Sequence, residues 1–314
     1  MYLKANEVKS FTDIPEDMNQ IFEHEFKKTV YKNEIIKRKH DGQFTDADVS
    51  VSKMLLDYRF ATLKQLHEAI AIDEPIAKFK KRVDQLVKFR IINRFALSHD
   101  PGLRRVPDDA YLVYCLDIGG HHLLTHFSEG EKLLDWFYII NMVTSEIVAR
   151  DLMITDLSSA YLKNKPHGFE YFEPKPELKV GRKTMIPAFE FLLDTYGQKK
   201  YFVGEIMRSS DAPTIFRDKA MKWSHLLNTE TWRKYYGGSD ASTPPILLLV
   251  ASDDETALQA ARILDETGEI KMFRLTTEER SKMPLYEQGA FLKYNTETKV
   301  LNPTAISNFR PEEN

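Results

Sequence analysis

The sequence predicts an α+β protein of two domains, and three observations lead there. Residues 44–116 read as three amphipathic helices followed by two β-type runs. After residue 183, strands and helices alternate around the apolar run PPILLLVAS, the pattern of an α/β layer with a mixed sheet. A chain of 314 residues, 42% hydrophobic and 11% aromatic, suffices for two cores and is too apolar for a disordered or fibrous chain. The expected boundaries are 1–43 for a helical extension, 44–130 for the first domain, 131–302 for the second and 303–314 for a tail.

In 1–43 the stretch NQIFEHEFKKTVYKNEIIKRKHDGQ carries Phe22, Phe26 and Val30 every fourth residue, with Ile35 and Ile36 extending the stripe. This predicts an amphipathic helix ending in Lys37, Arg38 and Lys39. Packing on the next domain, a homodimer contact and a touch on DNA backbone all remain open for it.

The next helix should start at Thr45 or Asp46, both good N-caps, with Val49, Val51, Met54, Leu55 and Tyr58 at helical spacing. A short one follows from Thr62, with Leu63, Leu66 and Ile70 inward. Pro75 suits the first turn of a third, where its missing N–H would be unpaired anyway. On that third helix Ile76, Phe79, Val83 and Leu86 share one stripe, at about 100° per residue. Lys78, Lys81, Gln85 and Lys88 fall opposite, with Arg82 beside them. The runs IINRFAL and AYLVYCL come next, joined by SHDPGLRRVPDD, whose Arg104 and Arg105 form a basic loop.

Three helices and a basic-looped hairpin are the order of a winged helix-turn-helix domain, so 44–130 is expected to bind double-stranded DNA. Lysine and arginine can neutralise phosphates and reach guanine edges in a major groove. Residues 75–105 hold nine Lys/Arg against two Asp, a local excess of seven in a chain of net charge −3. A merely solvated helix face is the bland alternative. Agreement among helix face, apolar stripe and basic loop favours DNA contact through Lys78, Lys81, Arg82, Gln85, Lys88, Arg104 and Arg105.

Beyond the hairpin, Gly119 and Gly120 are expected to make a turn into a helix. His122 and His126, four apart, share a face as a metal pair requires, but only Glu129 stands near as a third ligand and no HExxH pattern exists, so ordinary histidines are expected. A long helix is predicted over 132–153, with Leu133, Trp136, Phe137, Ile140, Val143 and Ile147 as its apolar stripe. KNKPHGFEYFEPKPELKVGRK then reads as low-order chain. TMIPAFEFLLDTYGQKKYFVGEIMR predicts two strands, and a helix should begin near residues 212–213, with Phe216 and Trp223 in the core. PPILLLVAS is a buried strand, and DDETALQAARILDET a helix capped by Ser252 or Asp253. EIKMFRLT, GAFLKYN and TKVLN complete the sheet. SDDE after PPILLLV has the wrong sign for a phosphate cradle, which excludes nucleotide binding there.

Composition narrows the partners. No apolar run approaches the roughly 18–20 residues that span a bilayer, and MYLKANEVKS lacks a signal peptide's apolar core. A cytoplasmic protein with no membrane partner is therefore expected. Cys115 is the single cysteine, so neither an intrachain disulfide nor a cysteine zinc site is expected. Overall acidity argues against binding nucleic acid over the whole surface.

Taken together, VSKMLLDYRFATLKQLHEAI, KKRVDQLVKFRIINRF, YLVYCLDIGG, WFYIINMVTSEIVARDL, IPAFEFLL, YFVGEIMRSS, IFRDKAMKWSHLL and PPILLLVAS resemble the replication-relaxation family of plasmid and mobile-element proteins, over about residues 44–276. The resemblance implies a role in plasmid replication and relaxation of plasmid DNA, and a second domain similar to restriction-endonuclease-like cores.

A nuclease core of that kind needs an Asp ending one strand and Glu-x-Lys on the next, to hold Mg²⁺ and activate water. Glu146 matches the carboxylate of the upstream helix and Glu205 the Glu of the motif. Ala188 stands at the Asp position and Met207 at the lysine. A relocated site would draw on Glu190 and on Lys219 or Lys222. The expectation is a catalytically degenerate domain needing no cofactor, with Arg208, Arg217, Lys219 and Lys222 facing DNA backbone. A metal-dependent nicking enzyme using Mg²⁺ with Glu146, Glu190, Glu205 and Lys222 is the alternative. A protein-interaction module would leave the basic face unexplained.

Overall fold

The computed structural model describes residues 1–26, 29–127, 136–164, 168–180, 183–195, 198–208, 213–229, 231–236, 244–267, 270 and 273–306. It is an α+β chain of two compact units, Met1–Ser159 and Ala160–Asn314. Glu129 and residues 132–135 of the expected long helix lie outside the described residues.

The first unit begins with strand β1 (Asn19–Phe22) and helix α1 (Lys32–His40). The single helix expected from Phe22 through Val30 is not there. Phe22 instead pairs across β1 with Phe95, and a spacing of four serves a strand and the turn after it as well as a helix. Helix α2 (Asp46–Tyr58) is capped by Thr45, with Asp48 closing the capping box. Strand β2 (Phe60–Ala61), helix α3 (Leu63–Ile70) and helix α4 (Ile76–Lys88) follow, then strands β3 (Ile92–Ser98) and β4 (Val113–Leu116). Thr62, the residue at which α3 is expected to begin, is its N-cap.

The four strands pair in the order β1-β3-β4-β2. Both faces of this sheet are covered, which is why β3 and β4 read as near-continuous apolar runs. Ile92, Tyr114 and Leu116 pack with Val51 and Leu55 of α2, Leu66 of α3 and Phe79, Val83 and Leu86 of α4. Phe95, Leu97, Val113 and Cys115 pack on the opposite side with Leu3, Ile14, Met18, Val148 and Leu152. Burial pushes the Cys115 thiol well up, so it stays a protonated core residue.

Helix α5 (Ile118–Phe127) contains both glycines expected to make a turn. A β-carbon on Gly120 would stand 2.2 Å from the Ile91 carbonyl oxygen, and one on Gly119 2.5 Å from that of Arg90. The helix crosses the α4–β3 connection too closely for any side chain. Asp117 locks the same crossing by gripping Arg90 Nε at 2.6 Å and Nη2 at 2.9 Å.

Helix α6 (Ser145–Lys163) starts far later than residue 132. Tyr138–Asn141 is a short 3-10 turn, and the Val143 N–H donates to Gln20 Oε1 at 2.9 Å instead of to a helical carbonyl. Phe137, Ile139, Ile140 and Met142 consequently lie exposed rather than on a core stripe.

The second unit is built on a seven-stranded mixed sheet, ordered β13-β12-β11-β10-β9-β8-β5. Its strands are β5 (Phe169–Pro174), β8 (Phe189–Thr195), β9 (Gln198–Met207), β10 (Ile246–Ala251), β11 (Phe273–Thr277), β12 (Phe291–Asn295) and β13 (Val300–Thr304). A separate hairpin, β6 (Leu178–Val180) with β7 (Lys183–Met185), occupies part of the stretch expected to be low in order, as does β5. Strands β5, β8 and β9 are antiparallel neighbours. Helix α7 (Pro213–Asn228) then leads to β10, parallel to β9, and helix α8 (Asp254–Thr267) to β11, parallel to β10. Asp253 is the cap of α8, accepting the Thr256 N–H at 2.7 Å.

Strand alternation sorts the two faces of this sheet. Val203, Met207, Leu247 and Leu249 meet Phe216, Ala220 and Trp223 of α7 and Ala257, Ala260 and Ala261 of α8. The other face is an aromatic layer, with Phe191 stacked on Phe202 at 4.6 Å and on the edge of Tyr161 at 5.1 Å. Gly204 lies under the Phe189 ring, where a β-carbon would come within 2.0 Å of it.

Candidate nucleic-acid interface

Helix α4 turns Phe79, Val83, Leu86 and Val87 into the core. Lys78, Lys81, Gln85 and Lys88 lie exposed on the far side, as their spacing predicts. Ile76, expected in the apolar stripe, is instead 48% exposed in the first turn of the helix. Lys78 Nζ sits 2.7 Å from Glu74, which lies just ahead of the helix. Among the described residues no ion pair engages Lys81 or Lys88.

Arg82 departs from the expected row of DNA contacts. Its Nε donates to Asp48 Oδ1 at 2.6 Å, its Nη2 bonds Asp48 Oδ2, and the same nitrogen reaches Thr45 Oγ1 at 3.2 Å. Asp48 is 1% exposed and also accepts the Thr45 N–H. One carboxylate thus caps α2 and tethers α4 to it, which spends Arg82 on holding the helix. The helix start at Thr45 was readable in the sequence; the part played by Asp48, in the capping box and against an arginine 34 residues away, was not.

Arg104 and Arg105 are exposed in the loop between β3 and β4, and among the described residues neither has an ion pair. On the stem, Arg94 bonds Asp84 at 2.8 Å and Glu23 at 3.3 Å, so it is already neutralised. The histidine pair on α5 is engaged elsewhere. His122 Nε2 lies 3.2 Å from the Val30 carbonyl, and the His126 ring sits edge-on to Phe127 at 4.6 Å. Burial lowers the pKa of His122.

In the second unit, Phe189 pairs with Gly204, so Glu190 and Glu205 project from one face of adjacent strands. Glu205, 5% exposed, accepts from Lys219 Nζ at 3.0 Å and from Trp223 Nε1 at 3.3 Å. Glu190, 8% exposed, accepts from the Tyr171 hydroxyl at 2.8 Å and the Tyr236 hydroxyl at 2.9 Å. Burial raises the Glu190 pKa, and the two hydroxyls oppose that rise.

Lys219, not Lys222, is the lysine that reaches Glu205. Trp223 is buried and Lys219 stands one turn before it on the same face, whereas Lys222 is rotated by about 100° into solvent. Glu146 lies in the first turn of α6 in the first unit, held by Arg150 at 3.1 Å. Arg208 is buried and Arg217 pairs with Glu266 at 2.7 Å, so neither offers the free charge expected of it.

The fit to Mg²⁺ is poor. Ala188 supplies no oxygen donor from its side chain, and each oxygen of Glu190 and Glu205 already accepts a hydrogen bond. Among the described residues no three His, Cys, Asp or Glu side chains gather as a metal ion would require. No described helix is long and apolar enough to cross a membrane. Comparison with protein-family models, curated proteins and solved structures finds no match for this chain, so the interface rests on its own geometry.

Proposed function

We propose that this chain is a sequence-specific double-stranded DNA-binding protein of a plasmid, phage or other mobile element, acting in replication control or transcriptional regulation. One observation carries the reading: the face of α4 away from the core presents Lys78, Lys81, Gln85 and Lys88 together, and Arg104 and Arg105 extend from the following hairpin. The order α2, β2, α3, α4, β3, β4, with β2 paired to β4, supports a winged helix. In that arrangement α4 enters the major groove, lysines neutralise phosphates, Gln85 faces base edges and the loop touches neighbouring backbone.

The second unit, on this reading, keeps a nuclease-like sheet without its chemistry. Support comes from the register that sets Ala188 where an anionic metal ligand is needed, and from Met207 buried where a lysine is needed. A second reading, metal-dependent nicking, is favoured by the 3.0 Å contact of Lys219 with Glu205 on the face that carries Glu190. It is the weaker one, because a metal ion would have to displace four existing hydrogen bonds.

A footprint on DNA from the protein's own genetic neighbourhood tests the main reading. Protection of a discrete site, surviving excess non-specific DNA, is expected; only uniform, easily competed binding would overturn it.

A further inference from the structure

We infer that residues 1–5 are the positioning strand of the basic hairpin loop and determine where Arg104 and Arg105 stand. The inference rests on the DNA-binding reading of that loop. Strands β3 and β4 pair with each other only from Ile92↔Leu116 to Phe95↔Val113. Past that point the arms part, and residues 1–5 bridge them, through Tyr2 against Ser98 and Lys4 against Ala110.

The bonds divide between the two arms. On the outgoing arm Leu3 N donates to Leu97 O at 2.9 Å and His99 N to Met1 O at 2.9 Å, while Ser98 Oγ donates to Met1 O at 3.2 Å. On the returning arm Tyr111 N donates to Leu3 O at 2.9 Å and Ala5 N to Asp109 O at 3.1 Å. The Tyr2 hydroxyl bonds Asp109, whose other oxygen lies 3.8 Å from Lys4 Nζ. Leu3 anchors the segment, 5% exposed, in the core formed by Phe95, Leu97 and Val113.

Backbone groups that would otherwise seek partners across the hairpin are thus satisfied by a segment roughly a hundred residues away in sequence. Within the loop, Asp100 accepts the Gly102 N–H at 2.8 Å and Ala110 N donates to Pro107 O at 3.2 Å. The free span shrinks to a few residues around the arginine pair. A loop whose arms are already fixed loses little freedom when it meets a phosphate, so its two charges act in full.

Two measurements on the full chain test this, comparing the parent with Leu3→Asp. Spin labels introduced through Lys81→Cys and Arg104→Cys, with Cys115 buried and unlabelled, should give one narrow distance distribution in the parent and a broad one with Leu3→Asp. On DNA, the Arg104→Ala/Arg105→Ala pair should weaken binding severalfold in the parent and have little further effect beside Leu3→Asp. An equally narrow distribution with Leu3→Asp would overturn the inference. So would an arginine-pair loss of the same size in both backgrounds. If Leu3→Asp prevents folding, Asp109→Ala removes the surface half of the clamp and should broaden the distances by less. If the arginine pair costs nothing even in the parent, the DNA reading of the loop falls, while the distances still decide the positioning.

Discussion

Replacing Arg82 with alanine should cost stability rather than DNA contacts. Asp48 is 1% exposed, and its side chain pairs with Arg82. Removing one partner of a buried pair typically costs about 3–5 kcal/mol, because the other charge is left without compensation. The Arg82 side chain is 31% exposed and Asp48 keeps its bonds to Thr45, so solvent screening reduces the expected loss to about 2–3 kcal/mol. For a unit of this size that lowers the melting temperature by roughly 4–12 °C. Calorimetry of Arg82→Ala, Asp48→Asn and the double variant provides the assay, with the double variant losing less than the sum of the two. An Arg82→Ala protein that melts like the parent, yet binds DNA with a smaller salt slope, would refute the strut and restore Arg82 as a phosphate contact.

Three further outcomes are expected. Arg104→Ala with Arg105→Ala should weaken binding nearly equally on all DNA sequences and reduce the salt slope by about two units; titration on specific and random duplexes checks this, and a loss confined to one sequence would mean the loop reads bases. Glu190→Gln should stabilise the second unit at neutral pH. The folded-state pKa of Glu190 is raised, so its ionisation adds no penalty below its ordinary pKa of about 4.3 and a penalty that grows as pH rises from there to the folded value and stays constant above it. Melting curves of parent and variant should therefore converge near pH 3–4 and diverge above it; a constant difference at all pH values would contradict the sign. Finally, supercoiled plasmid incubated with the protein and Mg²⁺ or Mn²⁺ should show no nicking. Nicking that vanishes with Glu205→Ala would establish the relocated site.

What the sequence made legible was whatever local spacing determines. The apolar stripe of α4 from Phe79 to Leu86, the start of α3 at Thr62, the strand pair β8–β9 and the buried run of β10 all follow from periodicity and local chemistry. The failures share one cause, which is a partner distant in the chain. Phe22 and Phe26 fit a helix by spacing, but the free edge of β3 recruits the first into a strand, and the second stacks on Tyr138 at 5.2 Å. Likewise Gly119 and Gly120 suggest a turn until the backbone of Arg90 and Ile91 crosses within a side chain's reach. In the candidate sites, exposure along α4 was readable from the helical period. The engagement of Arg82 by Asp48 and of Glu190 by two tyrosines was not, since it depends on tertiary neighbours.

The most direct test of the account is the salt dependence of DNA binding by Lys78→Ala, Lys81→Ala and Lys88→Ala combined. All three side chains point away from the core, and the one ion pair removed among the described residues, Lys78 with Glu74, is on the surface and worth about 0–1 kcal/mol. Folding should therefore survive, as circular dichroism would register. Affinity should fall, and the slope of log K against log salt should shrink by up to about three units, since each lysine that neutralises a phosphate releases about one counterion. A folded triple variant with unchanged affinity and slope would contradict the assignment of α4 as the DNA-binding helix.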